Sequence, residues 1–128
     1  MRYPLLVLSV CLTILGTGLP AFAHHSFAEE FDTSMPITLE GVVTRIDWEN
    51  PHVHYYIDVV DADGTVVTWS CETGGPARLA RRGWTKDTLK AGDKVVVHGF
   101  VAKDGSHAAD GRQVTLPDGR KIGSDPTH

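Results

Sequence analysis

The chain has 128 residues, with 12 Lys+Arg against 16 Asp+Glu, a formal net charge of −4 and 41% hydrophobic residues. That length supports one compact core, and the acidic balance argues against a general nucleic-acid binder, which needs a basic surface to neutralise phosphates. No GxGxxG follows a strand-like run and no GxxxxGK[ST] occurs, so dinucleotide and P-loop enzymes have no support either.

Residues 1–23 read as an export signal. Met1-Arg2 gives a short positive start, Leu5 to Leu19 is almost wholly apolar, and Pro20 breaks the run. Ala21-Phe22-Ala23 then supplies the small-x-small pattern that signal peptidase reads. The apolar run falls short of the roughly 20 residues of a comfortable membrane span. Cys11 lies inside it without a lipobox. A Sec-type signal peptide cleaved after Ala23 is therefore expected, with a periplasmic or secreted product and no membrane span after cleavage; an uncleaved anchor is the alternative. Removing 23 of 128 residues leaves 105, beginning at His24, and the charge moves from −4 to −5 because Arg2 is the only charged residue lost. Cys71 remains as the one cysteine, so it has no internal disulfide partner and reads as a small buried core residue.

After a short N-terminal segment (24–36), residues 37–122 read as a small β-barrel, and 123–128 as a flexible tail. Asp-Gly pairs at 63–64, 104–105, 110–111 and 118–119 are turn signals between short β-branched runs. The first strand runs from Ile37 to Glu49. Its apolar positions Ile37, Leu39 and Val43 switch parity to Ile46 and Trp48, so a bulge or bend near Gly41 lets one strand serve two sides of a barrel. The second, His52 to Asp61, turns Val53, Tyr55, Ile57 and Val59 to one face and His52, His54, Tyr56 and Asp58 to the other. The third is Thr65 to Glu72. A three-residue loop with Gly64 left-handed sets Val59 against Val67, Ile57 against Trp69, Tyr55 against Cys71, and His54 against Glu72. A two-residue turn would set apolar against polar. Tyr55, Ile57, Val59, Val67 and Trp69 are expected to be buried.

Gly75 and Pro76 open a short helix over Ala77 to Arg82, with Leu79 inward and Gly83 at its end. A second short turn over Thr85–Lys90 leads through Ala91-Gly92-Asp93 into a fourth strand, Lys94 to Ala102, and a weaker fifth spans Gln113 to Leu116. Three strands, a helix and two strands is the order of an OB barrel. The expected fold class is thus all-β with one short helix, a small five-stranded antiparallel OB-like barrel.

The chain resembles the small secreted bacterial proteins of the DUF6152 type. The resemblance rests on His24-His25-Ser26-Phe27, Glu40-Gly41-Val42-Val43 and Asn50-Pro51-His52, then on Trp69, Glu72, Leu79 and Gly83-Trp84. It continues through Leu89-Lys90-Ala91-Gly92-Asp93 and Asp118-Gly119-Arg120, so it covers nearly all of the mature chain. It implies no catalytic residue.

The chemistry lies in the histidines. Cleavage would give His24 a free α-amino group, so its amine and imidazole can chelate one ion, and His25 follows at once. His52 and His54 share a strand face at about 6–7 Å along the strand. Imidazole suits copper(II), zinc and nickel, with copper(II) the tightest of them. Glu72, opposite His54, can ligate or orient an imidazole. The plain alternative is that these histidines are surface residues. His98, alternating with Val96 and Phe100, reads as structural; His107 and His128 read as solvated. Trp48, Trp69 and Trp84 read as core or rim aromatics. Arg78, Arg81 and Arg82 read as the solvated face of the short helix, with an anionic partner as the alternative. Glu29, Glu30 and Asp32 form an acidic linker that either solvates the segment or raises the local cation concentration.

No nucleophile motif such as GxSxG and no paired carboxylates on one cleft are readable, so catalysis is unsupported. The reading is a periplasmic protein that binds copper(II), ahead of zinc or nickel, for handling or delivery to another periplasmic protein. Its metal ligands are His24, His52 and His54, with His25 and Glu72 in reserve. The rival is a metal-free OB-like module that binds a small ligand or a protein partner. An enzyme on the same metal is the third reading.

Overall fold

A computed structural model describes residues 27–123. The expected signal peptide, His24, His25 and His128 lie outside the described residues. The elements are α1 (Phe27–Glu30), β1 (Phe31–Asp47), β2 (His54–Val60), β3 (Val66–Glu72), α2 (Pro76–Arg81), β4 (Lys94–Ala102), β5 (Ala108–Asp110), β6 (Gln113–Thr115) and β7 (Lys121–Ile122).

Strands β1-β2-β3-β5-β4 follow one another in the sheet and a β1–β4 pairing closes it, with β6 and β7 extending from β4. The five-stranded OB-like barrel is thus present. It differs from the expectation in three ways: β3 and β5 run parallel, a second short helix, α1, precedes the barrel, and the fifth barrel strand is β5, whereas the expected fifth strand, Gln113 to Leu116, is β6 outside the closed ring.

One long strand does serve two sides. β1 pairs with β4 from Pro36 to Val42 and with β2 from Val42 to Asp47. Gly41 lies at the changeover, where a Cβ would stand 2.7 Å from the Asp58 carbonyl oxygen, so only glycine permits this approach. The bulge itself comes three residues later: Val43 and Arg45 pair with the consecutive residues Ile57 and Tyr56, leaving Thr44 as the extra residue. The Val43 N–H and C=O are satisfied by Asp93 O and Gly92 N at 2.8 and 2.7 Å, which ties β1 to the turn that starts β4.

The β2–β3 register is the expected one, from Val59↔Val67 through Ile57↔Trp69 and Tyr55↔Cys71 to His54↔Glu72. Asp61 N donates to Thr65 O across the three-residue loop, and Gly64 has φ 85°. Tyr55, Ile57 and Cys71 are fully buried. Val59, Val67 and Trp69 are only half-buried, contrary to expectation. The hairpin outruns its cover: β1 stops pairing with β2 at Asp58, and β5 meets β3 only at Ser70–Glu72. Trp69 finds a partial lid in the His107 ring, 5.1 Å away.

α2 starts with Pro76 in the first turn, buries Leu79 and ends near Gly83 at φ 87°. Leu79, Trp84 and Leu89 join the barrel residues in one core. The Trp84 indole Nε1 is buried with no hydrogen-bond partner among the described residues. His98 is half-buried on β4, with its Nδ1 3.3 Å from the Thr38 hydroxyl, in keeping with a structural role. No helix among the described residues is long and apolar enough to cross a membrane.

Candidate functional site

The residues at one end of the hairpin are held by backbone pairing on two flanks and by a loop packed across the end. Thr73 N donates to Val53 O and Val53 N to Gly74 O, at 2.9 and 3.0 Å, which carries the β2–β3 ladder past His54. Gly111 N donates to Glu72 O at 2.7 Å from the other flank. The Asn50-Pro51 peptide is cis, and the loop it opens lies against Gly75, where a Cβ would stand 2.8 Å from Pro51 O. Glycine there lets the Asn50-Pro51-His52 turn close over the end of β3.

This framework puts Glu72 between two imidazoles. His52 Nδ1 is 2.5 Å from Glu72 Oε1, and His54 Nε2 is 3.8 Å from Glu72 Oε2. The shorter contact is made by His52, which lies in the loop ahead of β2 and not within the strand. Cross-strand register alone places His54 opposite Glu72.

A second carboxyl joins from the N-terminal side. Glu30, the last residue of α1, shares a hydrogen bond with Glu72. That shared bond, with partial desolvation and the like charge of Glu72, pushes the Glu30 carboxyl up to about 7, against the pull of His52 and His54. The sequence signal was present in the acidic Glu29, Glu30, Asp32 run, but nothing in the run singles out Glu30. α1 is fastened by aromatic and main-chain contacts: Phe27 packs 5.3 Å from Phe31 and 6.0 Å from Phe100, and Lys103 N donates to Glu30 O at 2.9 Å. The Lys103 ammonium also donates to Ala28 O.

A cleft of about 150 Å³ opens here, lined by Phe27, Glu30, His52, Glu72, Arg78 and Arg112 among others. Its floor carries a buried ion pair. Asp110 is 1% exposed and accepts from Arg112 Nε at 2.9 Å, while the guanidinium stacks over the Phe27 ring at 4.1 Å. Sequence reasoning missed both residues, because Asp110-Gly111 reads as a turn. Gly111 has no positive φ; it is glycine because a Cβ would stand 2.6 Å from Cys71 Cβ and 2.8 Å from the Tyr55 hydroxyl.

Of the expected metal ligands, the structure brings His52, His54 and Glu72 together; His24 and His25 lie outside the described residues. Among the described residues no group of three or more His, Cys, Asp or Glu is gathered closely enough to hold an ion. Cys71 is buried, and desolvation together with the nearby Asp110 charge pushes its thiol up to about 12, so it is a core residue and not a nucleophile.

The chain belongs to the DUF6152 family, a family of unknown function, which matches residues 12–111. No curated protein and no solved structure matches the chain.

Proposed function

We propose that this DUF6152 protein is exported and binds a divalent metal ion, copper(II) ahead of zinc and nickel, for handling or delivery to a periplasmic partner. The observation that carries the reading is the placement of Glu72 between His52 and His54 with Glu30 behind it. The His52 imidazole and the Glu30 and Glu72 carboxyls line one cleft, with the His54 imidazole beside Glu72, and nitrogen and oxygen donors of these kinds suit such ions. Without a cation, the carboxyls meet each other and must share a proton; a divalent ion removes that repulsion.

His24 completes the site in this reading. It stands three residues ahead of Phe27, which lines the cleft. His25 is the reserve donor.

The test is a copper(II) and zinc titration of protein recovered after export from cells expressing the full chain, with its N-terminus read by mass spectrometry. His52→Ala, Glu72→Gln and one residue inserted ahead of His24 should each weaken copper binding by about tenfold or more. Binding should also fade as pH drops, because the ion needs deprotonated ligands. A wild-type affinity no better than that of the His24, His52, His54 triple alanine variant would leave the metal-free binding module as the better account.

A further inference from the structure

Among the described residues, Trp84 Nε1 is the one buried side-chain nitrogen or oxygen without a hydrogen-bond partner. A buried donor left unpaired is costly, so its place in the core calls for an acceptor. Trp84 is 3% exposed and held firmly. Its main-chain N–H donates to Leu79 O at 3.0 Å, and its ring lies 6.5 Å from that of Tyr55.

The space beside it is basic. A notch of about 10 Å³ is lined by Trp84 together with Gly74, Arg78, Leu79, Arg82 and Arg112, among others, and by no carboxylate of the described residues. Arg112 is committed to Asp110. The exposed Arg78 and Arg82 guanidinia make no hydrogen bond or ion pair among the described residues. Arg78 lies on α2 and Arg82 caps it, four residues apart, the spacing that brings two side chains to one face. Gly74 seats the first of them, since a Cβ there would stand 3.3 Å from Arg78 Cδ. The Leu79 and Ala80 carbonyls accept from the N–H groups of Arg82, Gly83 and Trp84, so the helix end does not leave them bare toward an anion.

Shape and charge then select the ligand. The notch has room for one oxygen atom. With Asp110 set against Arg112, the lining keeps a formal surplus of two positive charges. A water molecule would satisfy the indole and leave that surplus. A tetrahedral oxyanion answers both: one oxygen seated in the notch accepts from the indole N–H, and the others meet the guanidinium forks outside. We infer that this notch binds a dianionic phosphate or sulfate group, with Trp84 as the buried donor and Arg78 and Arg82 as the clamps. The site is independent of the metal reading, because neither Trp84 nor Arg82 lines the cleft of His52 and Glu72.

The experiment follows the indole N–H resonances of Trp48, Trp69 and Trp84 in ¹⁵N-labelled exported protein. Phosphate, sulfate or chloride is added at equal ionic strength. Phosphate and sulfate should each move the Trp84 resonance to saturation with the other two nearly still, and chloride should not. Arg78→Ala and Arg82→Ala, both at exposed positions, should each weaken phosphate binding by about tenfold. Arg81→Ala removes the same charge from α2 without touching the notch and should keep the wild-type affinity. Methyl phosphate in place of phosphate tells an esterified ligand from the free ion. A Trp84 resonance that stays in place, a shift that survives Arg82→Ala, or an equal loss with Arg81→Ala overturns the site.

Discussion

Tyr55→Phe tests how the core holds the cleft. Tyr55 is fully buried, and its hydroxyl donates to Gly111 O at 2.7 Å. The ring remains in the variant, so no cavity opens and apolar burial is kept. What is lost is one hydrogen bond, and the buried Gly111 carbonyl loses its donor, a cost of about 1–3 kcal/mol. For a domain of about 100 residues each kcal/mol moves the midpoint by about 4–8 °C, so a mid-range loss lowers Tm by roughly 8–16 °C. The effect should reach the site. Gly111 N holds Glu72 O at 2.7 Å, so releasing Gly111 loosens the strand end that aims Glu72 at His52. Urea denaturation of wild-type and variant protein measures the first effect, and copper titration the second. A stability loss below about 0.5 kcal/mol, the floor for an ordinary buried hydrogen bond, would refute the argument that this hydroxyl anchors Gly111.

Other outcomes follow from single contacts. Glu30 keeps its proton up to about 7 in the folded protein against 4.5 for the free carboxyl, so the folded state binds more protons in that window. Its stabilising contribution is full below 4.5 and is lost as pH rises through about 7; Glu30→Gln should flatten that part of the stability-versus-pH curve, and an unchanged slope would place the proton elsewhere. Cys71 should resist thiol reagents in the native protein and react fully in guanidinium, read by mass spectrometry of its peptide; native labelling at the denatured rate would contradict its burial. Gly64→Ala forces a side chain into φ 85° and should cost about 1 kcal/mol in chemical denaturation, with no change in copper affinity.

The fold was readable where alternation and turn chemistry agree. In the β2–β3 hairpin, a period of two leaves one register that matches apolar to apolar, and Gly64 fixes the loop that delivers it. β4 was equally plain, because Lys94–Ala102 is a β-branched run between turn signals. β5 was missed for a physical reason: Ala108-Ala109-Asp110 has no β-branched residue, and its strand character comes from pairing with β3 on one side and β4 on the other. The start of β1 was set too late, at Ile37 instead of Phe31, because residues 32–36 are mostly polar and exposed. Phe31 is nevertheless 4% exposed and pairs with Ala102 beyond a register shift.

The candidate site shows where periodicity stops helping. Register predicted His54 beside Glu72, and the backbone pairing is there. The 2.5 Å contact, however, belongs to His52, two residues upstream in a loop shaped by Asn50-Pro51 packing against Gly75. Strand alternation carries no information about such a loop, because its course is set by what the backbone can approach. Glycine marks those approaches. Gly75 admits the His52 loop, Gly74 admits the Arg78 stem, and Gly111 admits Tyr55 and Cys71 beneath Glu72. Alanine at Gly75 is the sharpest probe of this argument, since its Cβ would meet the Pro51 carbonyl at 2.8 Å, backbone that can yield only by moving the loop. The variant should keep the His54↔Glu72 strand pairing and lose the His52–Glu72 contact, seen as a change in the His52 imidazole resonances with those of His54 nearly unmoved. If both histidines shift together, the loop and the strand end move as one body and glycine at position 75 is not what seats His52.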